Sequence, residues 1–279
     1  MVFAITAVNG QLGTKILKAL SEKMPKSQII GLARTPEKAE SLGIEIRPGD
    51  YSDAAQMQTS LTGVETLLFV SGNNPPDERA RVHRNVVNAA RDAGVKKIIY
   101  TSVQGVDHGP NASPVVVSNR QTEQDIKQSG LDYVIGRNGI YIEPDVEYIE
   151  TYKKDGEIKN SAGDGKCGYT TRSELSLAYA NMLTEPRHLG QTYNLHGRAL
   201  TQAELAQYLN QAFGTSLTYH AMSVEEYVQD RIAELGAEMG PIIASIYEAI
   251  RNGAFNLPSD FETAAGRPHQ TWDHYFQGL

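Results

Sequence analysis

The chain has 279 residues, of which 40% are apolar and 21% are charged, and its formal net charge is −7 at pH 7. This composition is typical of a globular protein with one large unit and an annex, and the acidic balance disfavours nucleic-acid binding as the main role. The single cysteine, Cys167, excludes an intrachain disulfide and a metal site built on cysteines, and no metal site of another kind is expected.

Short apolar runs alternate with amphipathic stretches over the first 140 residues. Several of these runs are nearly continuous isoleucine, leucine and valine, as in strands that are buried on both faces. The pattern predicts strands at residues 2–6, 28–33, 44–47, 65–70, 97–102 and 133–137, and helices at residues 11–23, 54–61, 78–93 and 119–129. Alternation of this kind predicts an α/β fold with a Rossmann-type, doubly wound parallel sheet.

Helical patterns dominate after residue 140. They predict helices at residues 144–154, 172–185, 201–213, 224–235 and 241–252, together with a strand at residues 192–195 that could return to the main sheet. Thr201 and Glu204 have the spacing of a helix capping box. We therefore predict two domains, a Rossmann domain over residues 1–140 and a smaller, mostly helical domain over residues 141–279.

The turn after the first predicted strand reads AVNGQLG, residues 7–13. A turn of small residues that leads from a strand into a helix can bind a diphosphate, because the unpaired N–H groups and the dipole of the helix favour negative charge. Gly10 is placed for close approach to a phosphate and Gly13 for packing of the helix on the strand. Ala7 stands where the usual fingerprint has glycine, and we expect it to keep a negative φ. A plain βα turn is the alternative.

Arg34 directly follows the second predicted strand, and Lys38 lies one turn further on. An NAD-selective fold often has an acid at this place, whereas a guanidinium suits the 2′-phosphate of NADP. We therefore predict a preference for NADP(H) over NAD(H), with a solvent-exposed arginine as the alternative. Asp50 and Tyr51 end the third strand and are expected near the adenine.

Polar and small residues also lie at the carboxyl ends of the later strands, at the edge where a ligand would lie in the crevice. Residues 70–73 are at the end of the fourth strand and Thr101 and Ser102 at the end of the fifth, and Asn138 and Tyr141 come after the sixth. We expect the amide and the phenol of the last pair to orient the nicotinamide carboxamide or an acceptor. A strand-to-helix turn with a half-buried tyrosine is the alternative.

The sequence lacks the common catalytic motifs. None of its fourteen tyrosines has a lysine four residues later, and it has no G-x-S-x-G elbow, H-E-x-x-H site or P-loop. No acid–base pair is therefore apparent. Such a protein could still position a nicotinamide beside an acceptor that needs no strong enzymic acid, such as a quinone or a cationic dye.

Five segments together resemble the NmrA-like, atypical short-chain dehydrogenases/reductases, in the branch that reduces quinones and triphenylmethane dyes. They are NGQLG (9–13), GDYSD (49–53), RNVVNAARDAGVKKIIYTS (84–102), TEQDIKQSGLDYVIGRNGIY (122–141) and the pair AGDGK and TTRSEL (162–166 and 170–175). The resemblance covers nearly the whole chain. Two positions depart from the family pattern, Ala7 in the turn and Asn119, where close relatives carry histidine in H-x-x-T-E.

The resemblance implies an N-terminal domain for NADP(H), with the acceptor between the two domains. The resemblance assigns the cofactor to residues 10–12, 34, 71–72, 101–102 and 138–141. Together with the residues that the strand ends suggest, the expected cofactor-binding residues are Thr6, Asn9, Gly10, Gln11, Leu12, Arg34, Lys38, Asp50, Tyr51, Val70, Ser71, Gly72, Asn73, Thr101, Ser102, Asn138, Ile140 and Tyr141. From their positions, Asn138 and Tyr141 would position the reactants, and Tyr141 and Arg172 would contact the substrate.

Two functions remain open. One is an NADPH-dependent reductase of quinones or similar electrophilic aromatics. The other is a non-catalytic NAD(P)-binding redox sensor that acts through a protein partner, and an epimerase-like or azo-reducing activity is a smaller alternative. A homodimer is compatible with either function. Of the other polar residues, Glu123 is expected to pair with a neighbouring base, His83 to be a surface or packing residue, and His108 to be a solvated loop residue.

Location follows from the apolar runs and the cysteine content. A strand-like run begins at residue 2 without a basic segment and a long apolar stretch, so no signal peptide is expected. No run of about 18 apolar residues is present, so no membrane span and no membrane partner are expected. With its single cysteine, the chain is predicted to be cytoplasmic.

Overall fold

A parallel sheet of seven strands, in the order β10-β6-β5-β4-β1-β2-β3, forms the centre of the computed structural model, which describes residues 1–107, 109 and 112–279. All neighbouring strands in this sheet are parallel. The strands are β1 (Phe3–Thr6), β2 (Ile29–Ala33), β3 (Glu45–Pro48), β4 (Thr66–Val70), β5 (Lys97–Val103), β6 (Asp132–Asn138), β7 (Ile140–Tyr141), β8 (Glu157–Asn160), β9 (Tyr169–Thr170), β10 (Thr192–Leu195) and β11 (Thr218–Ala221). The predicted α/β fold is confirmed.

The strand order places a crevice at the carboxyl ends of β1 and β4. The chain runs outward from β1 through β2 to β3, and then returns to β4 on the other side of β1. In an open α/β sheet such a reversal point is where ligands bind. The turn at residues 7–13 and the segment after Val70 therefore lie at the same crevice.

Helices cover both faces of the sheet and form most of the second half. They are α1 (Gln11–Ser21), α2 (Ala54–Ser60), α3 (Pro76–Asp92), α4 (Pro114–Gln128), α5 (Glu143–Glu147), α6 (Ile149–Asp155), α7 (Arg172–Thr184), α8 (Gln202–Phe213), α9 (Val224–Arg251), α10 (Phe261–Ala265) and α11 (Trp272–Gln277). The predicted capping box is confirmed, because Thr201 and Glu204 each accept a backbone N–H of the other at the start of α8.

Three helix predictions differ from the structure. The helix predicted from residue 119 begins at Pro114, whose fixed φ suits a first helical position. The helix predicted over residues 144–154 is divided at Tyr148 into α5 and α6. The break that the sequence suggested before Pro241 lies at Gly236 in α9, because glycine takes the required φ of 84° without steric cost.

The second half also contributes strands. As predicted, residues 192–195 return to the main sheet, where β10 pairs with β6. Two small parallel sheets, β7 with β9 and β8 with β11, were missed because strands of two to four residues carry little periodicity. The division of the chain into domains at residue 140 stays a prediction.

The cleft wall is set by the packing of α1 on α7. Leu12 and Ile16 of α1 share a buried cluster with Leu175 and Tyr179 of α7. Burial of this apolar stripe brings the first turns of the two helices together at the carboxyl edge of the sheet. A helix from the second half is thereby held beside the turn at residues 7–13.

Candidate functional site

The turn at residues 7–13, called the phosphate turn below, has an open helix start. Gly10 is the N-cap of α1 and provides no side-chain cap for the first-turn N–H groups, which in any helix lack intrahelical partners. The Gly10 N–H donates to the Ala7 carbonyl over 2.9 Å, and the Thr14 hydroxyl donates to the Val8 carbonyl over 3.0 Å. The backbone is thus held in a tight loop, and the N–H groups in the first turn of α1 are left without a side-chain cap and can bind an anion.

Ala7 does not keep the negative φ expected for it. Its φ is 47°, in the left-handed region that disfavours side chains other than glycine. The tight turn decides this conformation, because the Ala7 carbonyl must point at the Gly10 N–H. The prediction of a relaxed alanine was therefore wrong, and the turn has the glycine-like geometry despite the extra methyl group.

Gly13 packs against the phosphate turn, as the sequence predicted. A Cβ atom at this position would overlap the Ala7 carbonyl oxygen and lie 3.0 Å from the Val8 Cα atom. At Gly10 the same atom would lie 3.1 Å from the Ala7 carbonyl oxygen. Both glycines therefore allow the helix start to approach the turn closely.

Arg34 and Lys38 are exposed at the end of β2 and in the turn after it. Among the described residues, no hydrogen bond or salt bridge engages the Arg34 side chain. Asp50, at the end of β3, accepts the N–H and the hydroxyl of Ser52, and these bonds, with a contribution from the Arg34 charge, lower the pKa of its carboxyl group. A free guanidinium thus lies near an ionised carboxylate at this edge.

Tyr51 points its hydroxyl into the protein. The Tyr51 oxygen lies 2.6 Å from Thr6 Oγ1 and 2.7 Å from the Val70 carbonyl oxygen, and the ring packs edge-on against Phe69. Burial raises the pKa of this phenol above its usual range. Tyr51 and Thr6 therefore tie β1 to β4 beneath the crevice, and their contact with a cofactor stays a prediction.

The segment after β4 is held by two buried side chains. The Ser71 N–H donates to Thr101 Oγ1 over 2.8 Å, and the Gly72 N–H donates to His83 Nε2 over 3.0 Å. His83 is fully buried on α3, and burial, followed by the Arg79 charge, lowers its pKa to about 3. His83 is therefore a neutral acceptor that positions the predicted cofactor segment, which also includes Val70 and Asn73.

Of the two alternatives predicted for His83, surface or packing residue, the structure shows the buried packing residue. A signal was available, because the buried residues of α3 recur at helical spacing and His83 lies on the same stripe. That stripe consists of Arg79, Val82, His83, Val86, Val87, Ala89 and Ala90.

Asn119, which stands where close relatives carry histidine, belongs to a buried hydrogen-bond network. Asn119 Oδ1 accepts from the Tyr100 hydroxyl over 2.6 Å and from the Ser71 hydroxyl over 3.2 Å. Its Nδ2 donates to the Val115 carbonyl over 2.8 Å. The asparagine therefore connects α4 to the segment after β4.

Glu123 pairs with neighbouring bases, as expected. Its carboxylate lies 2.8 Å from a guanidinium nitrogen of Arg120 and 2.8 Å from one of Arg137. It also accepts the Ser102 hydroxyl over 2.7 Å. Because these partners engage both carboxylate oxygens, Glu123 anchors β5 and β6 beneath the crevice.

Asn138 and Tyr141 are in contact, and their role toward a cofactor or an acceptor stays a prediction. Asn138 Nδ2 donates to the Tyr141 hydroxyl over 3.2 Å, and Asn138 Oδ1 accepts the hydroxyl of Tyr179, a residue that the sequence had not suggested, over 2.6 Å. Burial raises the pKa of Tyr141, so the phenol stays protonated. Ile140 precedes it in β7, and the Arg172 guanidinium lies 4.8 Å from the centre of the Tyr141 ring.

A cavity of about 720 Å³ lies between the phosphate turn and the second half of the chain. We call it the cleft, and its lining residues are Asn9, Gly10, Gln11, Thr14, Lys15, Glu143, Glu147, Thr171, Arg172, Ser173, Gln270 and Tyr275. Its lining combines the start of α1 with two cationic side chains, Lys15 and Arg172, and two carboxylates, Glu143 and Glu147. The helix start and the cations suit a diphosphate. Leu12 lies behind the wall, buried in the core.

The described residues contain neither a membrane-spanning helix nor a cluster of metal ligands. No helix there is long and apolar enough to cross a membrane. Within the same part of the chain, no group of three or more histidine, cysteine, aspartate or glutamate side chains could hold a metal ion. His108, which the sequence placed in a solvated loop, lies outside the described residues.

Comparison with known proteins agrees with this geometry. The model of a family described as NAD(P)H-binding matches residues 8–186. Quinone oxidoreductase 2 of Escherichia coli strain K12 is 37% identical in sequence, over 97% of this chain and 96% of that protein.

Two solved structures superpose over the whole chain. E. coli quinone oxidoreductase QOR2 in complex with NADPH gives a TM-score of 0.92 at 32% identity, covering 100% of this chain and 99% of that one. Citrobacter sp. triphenylmethane reductase in complex with NADP(H) gives 0.89 at 35% identity, covering 100% of both chains. With its open phosphate turn and this likeness from end to end, the chain belongs to the NAD(P)H-binding family, in its NmrA-like branch of atypical short-chain dehydrogenases/reductases.

Proposed function

We propose that this protein is an NADPH-dependent reductase that transfers hydride to a quinone or a similar electrophilic aromatic acceptor. One observation carries the proposal: Arg172 lines the same cavity as the uncapped start of α1 and also lies over the ring of Tyr141, which is hydrogen-bonded to Asn138. The helix start suits a diphosphate, and the pair Asn138 and Tyr141 suits a nicotinamide carboxamide or a flat acceptor. The relatives named for quinone and triphenylmethane reduction support the same chemistry.

The preference for NADPH rests on Arg34. Its side chain is exposed at the end of β2 and, within the described part of the chain, is unengaged by any hydrogen bond or salt bridge. A guanidinium can bind a phosphate through two parallel hydrogen bonds, and this position is where the adenosine ribose lies in a Rossmann sheet. Lys38 adds positive charge one turn away.

The bound NADPH supplies the hydride, and the chain supplies position. Tyr141 and Asn138 hold each other in place, and Tyr179 fixes the Asn138 amide from below. The described residues offer no acid–base pair of the Tyr-x-x-x-Lys type. An acceptor whose reduced form takes its proton from water fits such a site, because orientation alone can supply much of the rate enhancement.

The direct test is the oxidation of NADPH against a panel of quinones and triphenylmethane dyes, with NADH alongside. We expect turnover well above the rate without protein. A protein that binds both NADPH and NADP⁺ but oxidises NADPH with no acceptor would instead be a non-catalytic redox sensor.

Arg34→Ala tests the cofactor preference. Loss of a charge-assisted hydrogen bond costs about 1.5–3 kcal/mol, so the Kd for NADPH should rise roughly 10- to 100-fold while that for NADH changes little. Arg91→Ala is the matched control, because Arg91 is an exposed arginine in the last turn of α3. Equal losses for NADPH and NADH would remove the assignment to NADP.

We also propose that the protein acts in the cytoplasm. The single cysteine, Cys167, is buried and free, in keeping with the reducing cytoplasm. A homodimer remains a prediction, to be checked by the mass of the protein in solution.

A further inference from the structure

We propose that Gln104 is a positioning residue for the reaction, because its amide fixes the segment at residues 138–141, which carries Asn138 and Tyr141. Gln104 directly follows β5, and its side chain is fully buried. The inference rests on the proposed hydride transfer, and it assigns to that reaction a residue that acts through the pair Asn138 and Tyr141.

The Gly168 carbonyl, just before β9, connects the Gln104 side chain to this segment. It accepts the Ile140 N–H over 3.1 Å. It also accepts Gln104 Nε2 over 2.5 Å. Because Ile140 directly precedes Tyr141 in β7, the Gln104 amide holds the backbone beside Tyr141 through one shared carbonyl.

The Gln104 backbone holds the other end of the segment. Its N–H donates to the Asn138 carbonyl over 2.8 Å. Arg120 fixes the chain on both sides of Gln104, because its guanidinium donates to the Val103 carbonyl over 2.8 Å and to the Gly105 carbonyl over 2.9 Å. One residue with a fixed backbone therefore holds the segment at both ends.

The surroundings of Gly168 are closely packed. A Cβ atom at Gly168 would lie 2.7 Å from the His196 ring and 2.8 Å from Gln104 Nε2. A Cβ atom at Gly139 would overlap the Gly168 carbonyl oxygen and lie 2.7 Å from the His196 Cβ atom. Because an interior packed in this way transmits small shifts, a displaced Gly168 carbonyl would also move the strand that carries Tyr141.

Stability alone does not account for an amide at position 104. Among the described residues, Gln104 Oε1 is buried without a hydrogen-bond partner, and an unpaired buried oxygen is unfavourable. Gln202 is buried to the same degree, but its Oε1 accepts from Asn160 over 2.9 Å and its Nε2 donates to the Tyr169 hydroxyl over 2.8 Å. Replacement by methionine should therefore affect stability and activity differently at the two positions.

The experiment compares Gln104→Met with the wild type. Methionine has a similar size, but it lacks the donor to Gly168 and the unpaired oxygen. The Tm should stay near or rise above that of the wild type, because the Gly168 carbonyl keeps its bond from Ile140. The kcat with a quinone should fall roughly 10- to 100-fold, because a misplacement of about 1 Å can cost that much. The Kd for NADPH should stay near the wild-type value.

Gln202→Met is the matched control. It breaks two hydrogen bonds of a buried glutamine, so its Tm should fall, while its kcat below that Tm should match the wild type. An unchanged kcat in Gln104→Met, or a loss of kcat that Gln202→Met shares, would overturn the inference.

A double-mutant cycle tests whether Gln104 acts through Tyr141. If it does, Gln104→Met combined with Tyr141→Phe should lose no more kcat than the slower of the two single variants. Independent effects would instead multiply, and multiplied losses would overturn the inference.

The position of Tyr141 can also be followed without turnover. In protein labelled with ¹³C at the Cζ atom of tyrosine, the NMR signal of Tyr141 is the one that Tyr141→Phe removes. This signal should shift in Gln104→Met and keep its position in Gln202→Met, and an unshifted signal in Gln104→Met would contradict the assigned role. A wild type that binds NADPH but reduces no acceptor would defeat the proposed function, whereas the NMR signal would still decide whether Gln104 positions Tyr141.

Discussion

Replacing Ala7 by glycine should stabilise the protein, although the change removes a methyl group from a folded turn. Ala7 has a φ of 47°, and it is the residue other than glycine with a positive φ in the described part of the chain. The left-handed conformation costs a residue with a side chain about 1–2 kcal/mol. The turn holds Ala7 there because its carbonyl accepts the Gly10 N–H.

The magnitude follows from two opposing effects. Glycine relieves the left-handed strain but has more freedom in the unfolded chain, which costs about 0.5–1 kcal/mol. The free energy of unfolding should therefore rise by about 0.5–1 kcal/mol. For a chain of this size that corresponds to roughly 1–4 °C in Tm.

Thermal and urea unfolding, followed by circular dichroism without ligand, measure the effect. Ala55→Gly is the matched control, since Ala55 is exposed in α2 and has helical geometry. It should lower the free energy of unfolding by about 0.5–1 kcal/mol. If Ala7→Gly lowers stability as Ala55→Gly does, the strain assigned to the turn is not real. The Kd for NADPH should stay near the wild-type value, because the backbone already has the geometry of a glycine turn.

Two further predictions concern stability and the turn. Gly13→Ala should lower the free energy of unfolding by about 1–3 kcal/mol and weaken the binding of NADPH, because the new Cβ overlaps the Ala7 carbonyl. A variant with the Tm and the Kd for NADPH of the wild type would refute the close packing. Asp145 is buried and accepts the Tyr152 hydroxyl over 2.8 Å, and burial raises its pKa from 3.8 to about 6. The pKa of Asp145 is higher in the folded than in the unfolded state. Its ionisation therefore leaves the free energy of unfolding unchanged below about pH 4 and lowers it by the full penalty above about pH 6. Asp145→Asn should therefore raise the free energy of unfolding by about 2–3 kcal/mol at pH 8 and by little at pH 4, and a gain that does not depend on pH would contradict the burial of a charge.

The predictions that succeeded rest on local pattern. The runs of β4 and β5 predict strands that are buried on both faces, because successive apolar residues in a strand point to opposite sides and leave neither face polar. The capping box at Thr201 and Glu204 is formed by residues three positions apart, so the spacing alone specifies both hydrogen bonds. The short strands β7 and β9 were not predicted from the sequence, because a strand of two residues is defined by its pairing partner and not by a pattern of its own residues.

One failure and one open alternative share a different cause. The φ of Ala7 depends on where its carbonyl must point once the helix is packed on the sheet. His83 could be a surface or a packing residue by sequence, and the packing of α3 on the sheet selects the buried position, where the imidazole accepts the Gly72 N–H. In both cases the residue type permits two states, and the packing of distant segments selects one.

The amino-acid sequence by itself determined the α/β class, the position of the phosphate turn and the family, because these depend on periodicity and on short runs of neighbouring residues. Only the tertiary structure decided that Arg172 faces Gly10 across one cavity. These two residues are far apart in the chain, and they share a cavity because Leu12 and Ile16 of α1 are buried in one cluster with Leu175 and Tyr179 of α7, which brings the two helix starts together. The local pattern of each segment predicts a helix, but it does not specify which distant segment that helix packs against.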